Sequence, residues 1–319
     1  MNKNIKIYIA GHRGLAGSAI MRELQRQGYT NIVTRTHAEM DLEDAKATGK
    51  FFEQERPEFV FLAAAKVGGI HANNTYPVDF LMSNLLIEAN ICRAAHATKV
   101  NRLIFLGSSC IYPRDCPQPI KEEYLLTGPL ETTNRPYALA KITGIEMCWS
   151  YNRQYGAKWL AAMPTNLYGP GDNYDLNNSH VLPALIRKMH EGKVSGASEV
   201  VLWGSGTPRR EFLYVDDLAN ALVFLVTLDD KRYDALVDPS QCPLINVGTG
   251  TDLTIRELAE AIARVVGYSG KFVQDTTKPD GTMRKVMDVS KIQSLGWKAN
   301  TSLQEGINMT YKKFYEAYA

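Results

Sequence analysis

Tyr137 and Lys141 are the residues whose spacing first suggests chemistry. They lie four positions apart in RPYALAKITGIEMCWSYNRQYG (135–156), a pattern that predicts a helix, so both side chains share one face. A lysine ammonium beside a phenol lowers the pKa of the phenol and makes it an acid or base usable near neutral pH. Because such a pair also arises by chance, its surroundings must support it.

Serines and a cysteine end the apolar run NRLIFLGSS (101–109), which predicts a strand. Ser108, or else Ser109, can hydrogen-bond the same substrate oxygen as the tyrosine. Cys110 follows, and its thiol is either a small buried hydrophobe, the usual fate of a free cysteine, or an acid–base group. The residues alone favour the hydrophobe.

A glycine-rich loop near the N-terminus predicts a phosphate site. Gly11, Gly14 and Gly17 stand between the strand IKIYIA (5–10) and the helix SAIMRELQRQG (18–28). The N-terminus of a helix offers free N–H groups and a positive dipole end, and glycines let a pyrophosphate approach. The context of strand, loop and helix indicates a dinucleotide rather than an ordinary tight turn.

The end of the second strand indicates which dinucleotide binds. NAD sites usually place Asp or Glu there, whereas basic groups accept the 2′-phosphate of NADP. Here the sequence reads Thr-Arg-Thr-His at 34–37, and Arg13 lies in the glycine loop. We therefore expect NADP(H), with Asp41 and Leu42 near the adenine. The alternative is that Arg13 and Arg35 are ordinary surface charges.

Elements able to position these residues alternate along the first half of the chain. Apolar runs alternate with helical patterns, which predicts an α/β fold with a doubly wound parallel (Rossmann) sheet. We expect a Rossmann domain over residues 1–170 with returning segments at about 211–245, and a smaller α/β substrate-binding lobe over 171–319, interleaved with it. The predicted strands are 5–10, 31–35, 59–65 and 101–109, with a strand and loop over 159–170, and the predicted helices are 18–28, 77–100, 135–156, 181–192 and 254–267.

Bulk composition excludes several other classes of protein. A formal net charge of +2 over 319 residues predicts no nucleic-acid or membrane partner. The five cysteines are odd in number and lack a Cys-x-x-Cys pair, which argues against a disulfide framework and a metal site and favours the reducing cytoplasm.

Taken together, these motifs resemble the extended short-chain dehydrogenase/reductases, and among them the GDP-L-fucose synthase family. The similarity spans nearly the whole chain. The strings that carry it are AGHRGLAGSAI, LAAAKVGGIHANNTYP, FLGSSCIYP, PYALAK, MPTNLYGPGDN, NSHVLPALIRK, WGSGTPRREFLYVDD, INVGTG and KPDGTMRK.

The resemblance implies epimerisation of GDP-4-keto-6-deoxy-D-mannose at C3 and C5, followed by hydride reduction at C4. Protons α to a ketone are acidic, so inverting those carbons needs a base on one face and an acid on the other. Cys110 and His180 match the family's residues for this work. The family's catalytic set corresponds here to Ser108, Cys110, Tyr137, Lys141 and His180.

We expect His180 to follow helix-capping residues, Asn178 and Ser179, and to have a lowered pKa at the helix N-terminus. Without the resemblance it would read as a surface cap residue.

The resemblance also implies two binding sets and a homodimer formed through the helices at 77–98 and 135–152. The substrate set is Lys188, Trp203, Arg210 and Asp280, with Arg209 an alternative to Arg210. The cofactor set is Gly11, Arg13, Gly14, Leu15, Gly17, Arg35, His37, Asp41, Leu42, Leu106, Lys141, Pro164, Asn166, Leu167 and His180.

This chain departs from the family's pattern at two positions. Family members often carry arginine where His37 stands, which weakens the expected preference for NADPH over NADH. They often carry arginine at Lys188 too, so the positive charge stays but the forked geometry is lost. Two alternatives remain: an epimerase–reductase for another GDP-4-keto-deoxy sugar, as in GDP-colitose synthesis, or a non-catalytic NADP-sensing module.

Overall fold

A computed structural model describes residues 2–176, 178–278 and 280–318, with residues 70 and 71 through their backbone only. The strands are β1 Ile7–Ala10, β2 Ile32–Val33, β3 Phe59–Leu62, β4 Arg102–Leu106, β5 Lys158–Pro164, β6 Asn166–Tyr168, β7 Glu199–Trp203, β8 Arg209–Tyr214, β9 Leu244–Val247, β10 Asp252–Thr254, β11 Lys271–Asp275 and β12 Arg284–Lys285. The helices are α1 Leu15–Arg26, α2 Ala45–Glu55, α3 Ile70–Thr75, α4 Pro77–Ala97, α5 Arg135–Tyr155, α6 Val181–Ser195, α7 Val215–Val226, α8 Asp230–Leu236, α9 Ile255–Val266, α10 Ser290–Ser294 and α11 Leu303–Tyr318.

The main sheet has six parallel strands in the order β2-β1-β3-β4-β5-β9. Strands β1, β3 and β4 are buried along their whole length, as strands covered on both faces must be. Helices α1 and α7 pack together, and α2, α4 and α5 form a second packed group. The predicted doubly wound α/β fold is confirmed.

A crevice for a ligand arises where the strand order reverses. The chain runs from β1 outward to β2 and then returns to β3 on the other side of β1. In open α/β sheets, ligands bind at such a switch point, beyond the carboxyl ends of the strands. The glycine loop that follows β1 lies at this point.

A second group of buried side chains lies apart from the core of the main sheet. It gathers residues of α6, α9 and α11 together with strands β6, β7 and β8. Strand β8 pairs with β6, β10 and β12, and β7 pairs with β11. Strand β9 then returns to the main sheet beside β5, so residues beyond 170 contribute to both cores.

Several boundaries differ from the sequence-based prediction. Strand β4 ends at Leu106 rather than at 109, because Ser108 caps a 3-10 turn over Ser109–Ile111. The predicted strand and loop over 159–170 contain β5 and also a second short strand, β6, and β2 keeps two residues of the predicted five. Within the described residues, none of the helices has the length and apolar character needed to cross a lipid bilayer.

Candidate active site

The glycine loop leaves an open path to the N-terminus of α1. Gly11 has a φ of +84°, and a Cβ on it would lie 2.7 Å from the backbone nitrogen of Ala64. A Cβ on Gly17 would overlap the carbonyl oxygen of Gly11. Gly14 caps α1 without a side-chain hydrogen bond, and the first turn carries no acidic residue. Free N–H groups and absent side chains fit a pyrophosphate.

A cleft of about 430 Å³ continues from this loop toward the end of β2. Arg13 is exposed at its edge, and the buried Nδ1 of His12 has no hydrogen-bond partner among the described residues. This unpaired nitrogen is a further sign that the cleft is built to receive a polar ligand. The lining residues are Gly11, His12, Arg13, Gly14, Arg35, Thr36, His37 and Ala38.

The basic groups of this cleft are partly engaged by carboxylates. Arg35 lies 2.7 Å from Oε1 of Glu55, and Nδ1 of His37 lies 3.8 Å from a carboxylate oxygen of Asp41. Glu39, which the sequence analysis did not consider, accepts hydrogen bonds from the backbone and the hydroxyl of Thr36. An acidic group therefore does stand just beyond β2.

The remaining cofactor candidates lie at or beyond the carboxyl ends of sheet strands. The carbonyl of Leu106, at the end of β4, accepts a hydrogen bond from Lys141, and that of Leu42 accepts one from Asn90. Pro164 ends β5, and the side-chain amide of Asn166 donates to the carbonyl of Glu211. Leu15 and Leu167 pack partly against the main core.

The turn after β4 brings Ser108 and Cys110 together. The backbone N–H of Cys110 donates to Oγ of Ser108 at 3.4 Å. Ser108 is half-buried whereas Ser109 is buried, which leaves Ser108 the more accessible hydroxyl. Burial raises the pKa of the Cys110 thiol, although the nearby Lys285 ammonium, Ser108 and Lys141 oppose the rise. The thiol therefore holds its proton at neutral pH.

Tyr137 and Lys141 both lie in the first half of α5, as predicted from their spacing. Nζ of Lys141 lies 3.1 Å from Oε1 of Glu88 on α4 and 5.8 Å from the ring centroid of Tyr137. The pKa of Tyr137 is raised well above its ordinary value by burial, with further increases from Cys110 and Glu88. The expected lowering of the Tyr137 pKa is therefore wrong for this structure, because burial of the phenol, the largest cause, raises it instead.

His180 is itself the N-cap of α6, so the expectation that Asn178 and Ser179 provide the cap is wrong. It accepts no side-chain hydrogen bond from the first turn of the helix. His180 is exposed, yet the protein atoms packed around its ring, and then the Lys285 ammonium, lower its pKa. The imidazole is therefore neutral near pH 7, ready to accept a proton.

Lys285, on β12, acts electrostatically on both Cys110, in the turn after β4, and His180, at the start of α6. Its charge acts on Cys110 and on His180, and Arg210 lies close enough to lower its pKa further, after the effect of burial. Sequence reasoning gave Lys285 no role, although it lies at the end of the KPDGTMRK string. This cation lowers the pKa of the imidazole and partly offsets the rise that burial causes in the pKa of the thiol.

The four substrate candidates lie in two pairs in the smaller lobe, Lys188 beside Trp203 and Arg210 beside Asp280. Nζ of Lys188 lies 4.9 Å from the ring centroid of Trp203, and Lys278 approaches the same ring at 5.3 Å. Trp203 is 50% exposed, so it does not serve as core packing. An exposed indole held beneath two cations offers a flat face for a nucleobase.

Arg210 rather than Arg209 is available to a ligand. Arg209 is held by Asp252, with 2.9 Å between Nε and the carboxylate. The charge facing Arg210 is that of Asp280, which raises its pKa against the lowering by burial. Oδ1 of Asp280 accepts a hydrogen bond from the backbone of Ser205 at 2.7 Å, so this carboxylate also orders the loop after Trp203.

This chain is similar to known proteins over nearly its whole length. The model of the NAD dependent epimerase/dehydratase family matches residues 7–236. The chain is 54% identical over 313 residues to the GDP-L-fucose synthase of Escherichia coli (strain K12), covering 98% of this chain and 97% of that protein. It is 56% identical over 310 residues to GDP-L-fucose synthase 1 of Arabidopsis thaliana, covering 97% and 93%. The structure of a GDP-D-glycero-L-gluco-heptose synthase from Campylobacter jejuni, solved in the presence of NADPH, superposes with a TM-score of 0.91 at 39% identity and covers 99% of each chain.

Proposed function

Because this chain belongs to the NAD dependent epimerase/dehydratase family, we propose that it is an NADPH-dependent epimerase–reductase that converts GDP-4-keto-6-deoxy-D-mannose into GDP-L-fucose. The observation that carries the proposal is the grouping of a buried thiol, Cys110, with Tyr137 and Lys141 and, through the shared Lys285, with His180. Reduction at C4 needs the tyrosine and lysine alone, whereas inversion of C3 and C5 requires two further proton-carrying groups. The 54–56% identity to the named synthases supports this substrate.

The chain's own residues would act in two stages. Cys110 and His180 remove and return protons at C3 and C5, while Ser108 and Tyr137 donate hydrogen bonds to the C4 oxygen and stabilise the enolate. NADPH supplies the hydride to C4 when it is bound. Tyr137 then gives its phenolic proton to that oxygen, so one tyrosine serves both stages.

The GDP group would be held by the smaller lobe. Arg210 suits forked contacts to a diphosphate oxygen pair, and the exposed face of Trp203 suits the base. Lys188 adds a single point of positive charge, because an ammonium lacks the fork of a guanidinium. Asp280 maintains the loop that carries the indole.

We expect the glycine loop to hold the pyrophosphate, and Gly17→Ala tests this. The new Cβ would overlap the carbonyl of Gly11 and force the loop open, so NADPH affinity should fall by at least about tenfold, or ~1.4 kcal/mol. Titration followed by NADPH fluorescence measures it. Gly49→Ala is the control: it lies inside α2 with open space around it and should keep its affinity while gaining about 0.5–1 kcal/mol of stability. Undiminished affinity in Gly17→Ala would exclude this loop as the phosphate site.

Preference for NADPH over NADH would depend on Arg13, since Arg35 is shared with Glu55. Arg13 is exposed at the cleft, so Arg13→Ala should raise the Kd for NADPH by about tenfold through loss of a charge-assisted contact and leave the Kd for NADH unchanged. Both constants are obtained by fluorescence titration. His37→Arg is the complementary variant and should tighten NADPH binding. If Arg13→Ala weakened the binding of both dinucleotides equally, Arg13 would not be the residue that contacts the 2′-phosphate.

The direct test is incubation with GDP-4-keto-6-deoxy-D-mannose and NADPH in heavy water. Oxidation of NADPH with deuterium at both C3 and C5 of the product is the expected result. Oxidation of NADPH without deuterium in the product would show that the protein is a 4-reductase only, and that Cys110 is a buried structural residue rather than an acid–base group. Binding of NADPH without turnover would show that GDP-4-keto-6-deoxy-D-mannose is not the substrate. Turnover of a 3-deoxy analogue would then favour a different GDP-4-keto-deoxy sugar as the substrate.

We also infer a cytoplasmic homodimer. Val78, Met82 and Leu86 are exposed at four-residue intervals along α4, and Leu139 is exposed on α5, which packs beside it. Exposed apolar side chains in one row favour burial against a second copy through these two helices. The five cysteines are all free thiols in the structure, as is usual in a reducing compartment.

A further inference from the structure

Glu88 is a buried carboxylate to which the proposed mechanism gives no task. It lies on α4, and its Oε1 is 3.1 Å from Nζ of Lys141. The two side chains are 1% and 2% exposed, so water contributes almost nothing to either charge. A buried ion pair is weak evidence for a stabilising role, since desolvation can exceed the attraction between the charges. Its position beside a catalytic lysine therefore calls for another explanation.

The contacts around the pair fix the lysine in one place. Nζ of Lys141 also donates to the carbonyl of Leu106 at 3.1 Å and lies 4.7 Å from the ring centroid of Phe105. On the other side, Gly144 leaves room for the carboxylate, because a Cβ there would lie 2.9 Å from Oε2 of Glu88. Lys141 is thus held by α4 and by the end of β4 before any substrate arrives.

One oxygen of Glu88 remains unused within the described residues. Oε2 is buried and has no hydrogen-bond partner there. Burial raises the pKa of Glu88, and Lys141 lowers it through its charge and its hydrogen bond. Burial is the larger cause, so the pKa of Glu88 is raised on balance, and the Lys141 ammonium is the neighbour that favours the charged carboxylate.

The negative charge of Glu88 affects the pKa of the Tyr137 phenol. Glu88 and Cys110 both raise its pKa beyond the effect of burial. The titratable groups facing the cluster are Lys141 from α5, Cys110 from the turn after β4, Cys92 from α4 and Cys148 from α5. Of these, Lys141 alone is positive; it pairs with Glu88 and also acts on Cys110.

We propose that Glu88 is a positioning residue: it holds Lys141 in place and keeps the hydroxyl of Tyr137 in its protonated form, ready to donate. A reductase needs this state, because the phenol must give a proton to the C4 oxygen as hydride arrives, whereas an oxidising enzyme needs the phenolate. This inference rests on the proposed direction of the reaction.

Glu88→Gln tests the proposal, because the amide oxygen can still accept from Lys141 but carries no charge. Without the carboxylate the pKa of Tyr137 falls, so the phenol ionises at lower pH and the alkaline limb of kcat for reduction moves to lower pH. Ultraviolet absorbance of tyrosinate, with the Tyr137→Phe form of each protein subtracted, should show the same shift in the absence of substrate. KM for the GDP-sugar should stay within about twofold.

Glu23→Gln is the matched control, since Glu23 is also buried and paired, with Arg26, but lies on α1 away from Tyr137. It should leave both profiles unchanged. Glu88→Asp keeps the negative charge but moves it away from Lys141, so it should shift the kcat profile and the tyrosinate titration in the same direction by a smaller amount. If Glu88→Gln does not fold, Glu88→Asp is the variant to test. Unshifted tyrosinate titration in a folded Glu88 variant would overturn the proposal. Because that titration needs no GDP-sugar, its outcome is independent of whether the wild-type protein turns over the proposed substrate.

Discussion

Replacing Tyr137 by phenylalanine is expected to lower the rate of NADPH oxidation by about 10²- to 10⁴-fold, the usual contribution of a positioned general acid. The phenol is the group placed to protonate the C4 oxygen, and phenylalanine keeps the ring that packs at 6.2 Å from Phe80. Loss of the hydroxyl alone should therefore leave the fold and the affinity for NADPH unchanged. Stopped-flow measurement of a single turnover separates this chemical step from binding and product release.

Tyr151→Phe serves as the control for this prediction. Tyr151 lies on the same helix, α5, and packs against Trp159 rather than the site. It should keep full activity. Full activity of Tyr137→Phe in the same assay would mean that another group protonates C4, and Ser108 would be the next candidate.

The strands and helices were predicted correctly from the sequence wherever the local pattern of apolar residues was strong. Short apolar runs such as IYIA and RLIFL, each followed by a glycine, form the predicted buried strands, and the glycine loop between β1 and α1 lies at the switch point. The pattern was weaker at the ends of these elements. Ser108 diverts the chain into a turn by capping, and α2 begins at the side-chain cap of Asp44, a local contact that the periodicity of apolar residues does not show.

The catalytic residues were within reach of sequence reasoning because their motifs are local, whereas their electrostatic partners were not. Glu88 reaches Lys141 from 53 positions earlier in the chain, and Lys285 reaches Cys110 from 175 positions later. Neither pair has a spacing that a sequence can show. The pKa of Tyr137 was predicted in the wrong direction chiefly because a local motif does not show the burial of the phenol, to which Cys110 and Glu88 add smaller increases.

The largest effect on epimerisation is expected from Cys110→Ser. Serine has nearly the same size and keeps the turn after β4, but its hydroxyl is a far weaker acid than a thiol. Deuterium incorporation at C3 and C5 from heavy water should fall by about 10²- to 10⁴-fold, while NADPH affinity stays unchanged. His180→Asn should produce the same loss, because it removes the second proton-carrying group of the pair. Nuclear magnetic resonance of the GDP-sugar recovered over time measures exchange at each carbon.

Cys116→Ser is the control, since Cys116 is half-buried in the same segment and feels the same Lys285 charge. It should keep normal exchange at both carbons. If Cys110→Ser also keeps full exchange, the thiol is a core residue after all, and the proton must pass through another group. If exchange is lost at one carbon only, Cys110 serves that carbon and the two inversions use different groups. Loss at both carbons, with NADPH still bound, is the result expected when one thiol–imidazole pair serves both inversions.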